Sequence, residues 1–140
     1  MKHEKLIVLR GNSGSGKTSV ARDLQEHYGR NTLLISQDMV RREMLKAKDG
    51  PETAALPLLM QLLELAGRLY GENVYAYYFD LCFEETLRRH QTKPNSDKFG
   101  EAEMRRWWRD RDYSDVLRET ALGEGMSRSE IVERICRDVG

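Results

Sequence analysis

Cysteine, proline and net charge are what this sequence has least of. Among 140 residues there are two cysteines and three prolines. Cys82 and Cys136 stand alone, without a CxxC pair or metal-ligand spacing, which argues against a disulfide framework or a zinc module and leaves two reduced, packed thiols as the expectation. The 23 basic and 23 acidic side chains cancel. With no field of one sign, a large nucleic-acid or membrane footprint is not expected, though a short nucleic-acid end stays open as a ligand. Long apolar runs are missing too. The start, MKHEKLIVLR, has too short an apolar stretch for a signal peptide, and nowhere does the chain reach the roughly 18 apolar residues of a spanning helix. A cytoplasmic protein with no membrane partner is the expectation. The length suits one domain over residues 1–140, with no repeats or low-complexity tracts.

What is present alternates between two periods. Lys5–Arg10 (KLIVLR) is a short aliphatic run that suits a strand buried on both faces. Residues 18–28 switch to helical spacing, with Val20, Ala21, Leu24 and Tyr28 on one side and Gly29 as C-cap. Thr32–Ile35 (TLLI) reads as a second buried strand, and MVRREMLKAK (39–48) as a charged helix stopped by Asp49-Gly50-Pro51. Leu56–Tyr70 predicts a buried helix with Pro57 in its first turn. Val74–Phe79 (VYAYYF) is a third strand ending at Asp80. Helices follow at 83–90 and at 101–111, the latter with Met104, Trp107 and Trp108 on one side. Ser127 to Glu130 has capping-box spacing ahead of a last helix with an Ile131, Val132, Ile135, Cys136, Val139 stripe. The pattern predicts an α/β fold with a mostly parallel sheet.

Between the first strand and the first helix lies GNSGSGKT, residues 11–18. A polyphosphate is held compactly by backbone N–H groups wrapped around its oxygens at the positive end of a helix. Side chains obstruct that wrapping and positive φ assists it, which accounts for glycine. Gly11, Gly16, Lys17 and Thr18 match G-x-x-x-x-G-K-[ST], and Asn12, Ser13, Gly14 and Ser15 complete the loop. Lys17 is then expected to reach the β- and γ-phosphates and Thr18 to offer its hydroxyl to Mg²⁺.

Transfer of a γ-phosphate also needs charge stabilisation and a carboxylate to take the acceptor's proton. In open α/β sheets such groups gather at the carboxyl ends of the strands. Asp38, three residues past TLLI, is expected as base or metal partner, and Asp80 more as a helix cap than as a base. Arg88, Arg89, Lys93, Lys98, Arg105, Arg106, Arg109 and Arg111 crowd around a Pro/Gly loop, a candidate lid over about 88–111. The interspersed acids allow a plain solvated surface instead. Trp107 and Trp108 are expected to pack against the core, and His90 to lie at a surface or helix end.

The runs KLIVLRGNSGSGKTSVARDLQEH, TLLISQDMVRREML, VYAYYFDLCFEETLRRHQTKPN and EMRRWWRDRDY resemble small bacterial P-loop kinases of the zeta-toxin and chloramphenicol-phosphotransferase-like group, some of them labelled uridine kinase. They are more distantly similar to the kinase domain of polynucleotide 5′-kinases. The resemblance implies a P-loop NTPase three-layer α/β/α fold, ATP and Mg²⁺ as cofactors, and a hydroxyl-bearing acceptor. It implies Asp38 as base and metal partner, Arg41 or Arg42 orienting the acceptor, and Arg89 and Lys93 facing the nucleotide phosphates. In one respect the chain departs from the group. Relatives carry a further strand and helix between the helix at 56–66 and the strand at 74–79, where only Ala66–Asn73 stand here. A nucleotide-binding protein with impaired transfer, or an NTPase, is the alternative to a kinase.

Overall fold

The computed structural model describes residues 5–30, 45–46, 54–93, 99–114 and 117–140. The expected strand at 32–35 lies outside these, as do Asp38, Arg41 and Arg42. Among the described residues, β1 (Leu6–Gly11), β2 (Val74–Asp80) and β3 (Glu119–Gly123) form a parallel three-stranded sheet in the order β1-β2-β3. Leu6 pairs with Val74 and Gly11 with Phe79, while Ala76 pairs with Glu119 and Asp80 with Gly123. The strands' carboxyl ends, Gly11, Asp80 and Gly123, therefore share one edge. The sequence pattern does not predict β3: ETALG has little β-branched content and buries only Leu122, so its strand state follows from pairing with β2.

Two helices build the main core on one face of this sheet. α1 (Lys17–Tyr28) contributes Val20 and Leu24, and α5 (Arg128–Val139) contributes Ile131, Ile135 and Val139. They close over Tyr77 and Phe79 of β2 and Leu122 of β3, with Ile7 and Leu9 of β1 alongside. The period-2 alternation of β2 explains the selection, since Tyr77 and Phe79 point one way and Ala76 and Tyr78 the other. α5 starts as predicted, with Ser127 Oγ accepting from the Glu130 N–H and Glu130 Oε1 accepting from the Ser127 N–H, both at 3.2 Å.

Three further elements complete the described chain: α2 (Ala55–Tyr70), α3 (Phe83–Gln91) and α4 (Glu101–Trp107). α2 has the predicted length and Pro57 in its first turn, but it is not buried. Ala55 is its one buried residue, while Met60 is 57% and Leu69 70% exposed. The charged helix expected over 39–48 does not run unbroken either, because Leu45 and Lys46 form a bend with Lys46 at φ 50°. α4 stops at Trp107, four residues short of the expected end, and Trp108 turns extended. Both cysteines are unpaired, but Cys82 is exposed rather than packed and Cys136 is half-buried. No helix among the described residues is long and apolar enough to cross a membrane.

Candidate functional site

The segment between β1 and α1 sets the site. Gly16 stands at the start of α1 in the left-handed region, φ 95° and ψ 9°, a conformation that costs a side-chain-bearing residue about 1–2 kcal/mol. No side chain caps α1 there and no acid lies in its first turn. The first amides of a helix need acceptors, and an uncapped, uncompensated N-terminus is suited to an anion. Lys17 lies within the bend: its Nζ donates to Gly11 O and Asn12 O at 2.7 Å each and to Ser15 Oγ at 3.2 Å. The ammonium thus lies over carbonyls that a phosphate could replace as its partner. Thr18, the residue expected to face Mg²⁺, is itself exposed in the first turn of α1. Ser13 is exposed on the loop and Ser15 is buried beneath it.

α3 forms the wall behind the loop. A Cβ placed on Gly14 would lie 2.6 Å from Thr86 O and 3.3 Å from the end of Met104, so loop and helix approach backbone to backbone. Thr86 is wholly buried, its hydroxyl donating to Phe83 O at 2.7 Å. One turn on, Arg89 Nη1 donates to Ser15 O at 3.0 Å while its Nε donates to Glu85 Oε1 at 2.8 Å. The same Nη1 stands 3.6 Å from where a Cβ on Gly16 would be. Of the two cations expected beside the phosphates, Arg89 is at the loop. Lys93 follows the end of α3, its backbone N–H donating to His90 O at 3.0 Å.

Glu85 is shared. Arg88 foremost, then Arg89, hold its carboxyl down at about 2 through their hydrogen bonds. His90 is at a helix end as expected, but it is buried rather than superficial, with Nε2 2.8 Å from Phe99 O and its ring stacked on Phe99 at 4.5 Å. Trp107 and Trp108 do pack: Trp107 against Phe99 at 5.1 Å and Trp108 edge-on to Phe83 at 5.4 Å.

The turn after α4 is tied to the same edge of the sheet. Asn12 Nδ2 donates to Arg109 O at 2.6 Å and Asn12 Oδ1 accepts from the Arg109 N–H at 2.9 Å, a reciprocal pair between the loop and this turn. Asp112 N–H donates to Tyr78 Oη at 2.9 Å, and Arg10 reaches Asp112 O at 3.0 Å and the buried Glu119 at 2.7 Å. Between these anchors Arg111 is held at φ 43°, a strained position for a non-glycine residue. Asp80 does not cap α3, whose N-cap is Cys82 without a side-chain hydrogen bond. Its Oδ2 instead accepts from the Tyr113 hydroxyl at 2.9 Å. Burial first, then that bond to Asp80, push the Tyr113 phenol above its ordinary value, so it is the proton donor of the pair at neutral pH. Neither the Asn12–Arg109 tie nor the Asp80–Tyr113 pair has a signal in local sequence, because each joins distant segments.

Comparison with known proteins bears on the fold and the family. In fold, the chain is similar to a gluconokinase from Sinorhizobium meliloti 1021, with a TM-score of 0.61 at 16% sequence identity, covering 99% of this chain and 93% of that one. At that identity the likeness shows the fold alone, a parallel α/β sheet flanked by helices. No curated protein matches. A family model described as AAA domain matches residues 6–90, more than half of the chain, spanning β1, the glycine loop, α1, α2, β2 and all but the last residue of α3. The chain belongs to the AAA-domain family.

Proposed function

We propose that this protein is an ATP-dependent phosphotransferase that moves the γ-phosphate to a hydroxyl of a small-molecule or nucleotide-like acceptor. The observation that carries the reading is the α1 N-terminus, uncapped and free of acids, with Lys17 Nζ lying over the carbonyls of Gly11 and Asn12. In this reading Gly11 to Thr18 receive the phosphate chain and Lys17 shifts from those carbonyls to phosphate oxygens. Arg89, already on the loop backbone, adds positive charge where negative charge develops. Lys93 is a further candidate toward the nucleotide. Mg²⁺, when bound, neutralises phosphate charge, and Thr18 with Asp38 would hold it. Asp38 takes the acceptor's proton and Arg41 orients the acceptor, both from the segment outside the described residues. Residues 1–140 act as one cytoplasmic kinase domain with a lid at about 88–111, of the zeta-toxin and chloramphenicol-phosphotransferase-like kind.

One observation favours the alternative, nucleotide binding with little transfer. Asp80, the acid at the carboxyl end of β2, is engaged by Tyr113. Calorimetry with MgATP, together with a labelled-phosphate transfer assay over sugars, nucleosides and hydroxylated antibiotics, separates the two. A labelled acceptor product that disappears in Lys17→Ala and falls about 10²-fold in Asp38→Asn supports the kinase. Binding without any labelled product supports the alternative, and absence of binding removes both.

A further inference from the structure

The wall formed by α3 contains a carboxylate that the phosphate-binding motif does not account for. We propose that Glu85 is a positioning residue that aims the guanidinium of Arg89 at the phosphate loop; this rests on reading that loop as the ATP site.

Glu85 and Arg89 are four residues apart on α3 and so share one helix face. Most such pairs on a surface contribute little. This one differs in what lies at its far end. Arg89 Nε is held by Glu85 Oε1 at 2.8 Å, and Nη1 of the same rigid fork donates to Ser15 O at 3.0 Å, across 74 residues of sequence. Contacts on two separate edges fix the plane of a guanidinium, which a single contact leaves free to swing on a long flexible tail. Both side chains are withdrawn from solvent, Arg89 at 23% and Glu85 at 20% exposed. Among the described residues Nη2 makes no hydrogen bond, so it is left for a ligand. Arg88 occupies Glu85 as well, with Nε on Oε2 at 2.9 Å and Nη2 on Oε1 at 2.7 Å. Arg88 is 66% exposed and steadies the carboxylate from outside, with its hydrogen bonds going to Glu85 and not to the loop.

Among the described residues the Glu85 carboxylate bonds to Arg88 and Arg89 and to no atom of the loop, so its effect must pass through Arg89. That is what a double-mutant cycle measures. On the full chain, MgATP dissociation constants are measured by calorimetry for wild type, Glu85→Ala, Arg89→Ala, the double variant, Glu85→Gln and Arg88→Ala, each checked for folding by thermal melting. Glu85→Ala is expected to weaken binding about ten-fold, the scale of one charge-assisted hydrogen bond, and by less than about twofold once Arg89 is already alanine. Glu85→Gln keeps an acceptor for Nε and is expected within about threefold of wild type, with Arg88→Ala within about twofold. An equal loss from Glu85→Ala in both backgrounds, or a loss from Arg88→Ala as large as that from Glu85→Ala, overturns the proposal. If Glu85→Ala does not fold, the cycle is run with Glu85→Leu, judged by the same rule. Wild type that fails to bind MgATP, or Lys17→Ala that binds as well as wild type, sinks the ATP-site reading itself. Tight Lys17-dependent binding with an additive cycle sinks only the role of Glu85.

Discussion

Replacing Gly14 by alanine tests how closely the phosphate loop is pressed against α3. The added Cβ would lie 2.6 Å from Thr86 O, a backbone atom of a buried residue that has no flexible end to move aside. Gly14 also sits at φ 81°, where an alanine is strained whatever the space around it. The two costs can be separated, because Gly29 at φ 73° has nothing within 4 Å of its would-be Cβ. Gly29→Ala, at φ 73° and ψ −138°, carries the conformational term alone, about 1–3 kcal/mol less the gain from a stiffer unfolded chain. Gly14→Ala adds overpacking of about 1–3 kcal/mol. At about 2.1 cal/mol/K of unfolding entropy per residue, a chain of 140 residues loses roughly 3 °C of Tm per kcal/mol. Differential scanning calorimetry should therefore show Gly29→Ala melting about 3 °C below wild type and Gly14→Ala about 7–13 °C below. Equal melting of the two variants would refute the close approach of loop and helix.

Other outcomes follow from the same contacts. Asn12→Ala removes the acceptor of the Arg109 N–H, so that amide should exchange with deuterium at least about ten-fold faster by NMR; unchanged protection contradicts the tie between loop and turn. Glu85, with its folded value depressed to about 2 by Arg88 and then Arg89, contributes its full stabilisation above the ordinary carboxylate range and loses that contribution as pH falls toward 2, where the pairs themselves break. A carboxyl-detected NMR titration should place its midpoint near 2 and move it upward in Arg88→Ala; a midpoint unaffected by that substitution contradicts the shared pairing.

Much of the fold was legible because it is written locally. KLIVLR has strand character by itself, GNSGSGKT has the composition of a loop that must expose its amides, and Ser127 and Glu130 form their box within one turn. The failures share the opposite cause. β3 is made by its hydrogen bonds to β2 rather than by the preferences of ETALG. α4 is cut short at Trp107 because the next residues are claimed by Asn12, Arg10 and Tyr78, all distant in sequence. α2 was readable in length but not in burial, since apolar content states a need for cover without saying what supplies it. His90 appeared superficial because the ring that stacks on it, Phe99, lies beyond the helix. At the site, the loop was readable from spacing. Arg89 was legible as one of the basic residues of the candidate lid, but only the resemblance set it beside the phosphates, and the capping role expected of Asp80 is displaced by Tyr113. Glu85 carried no signal at all, being one acid among many until its arginine is seen to reach Ser15.

The central claim is that the uncapped first turn of α1 and the bend before it receive the phosphates of a nucleotide. The most direct measurement is an amide chemical-shift map of the ¹⁵N-labelled protein titrated with MgATP. The account predicts that the largest changes fall on Gly14, Ser15, Gly16, Lys17 and Thr18 and vanish in Lys17→Ala. Saturable binding that leaves these five amides unmoved while others shift would contradict it.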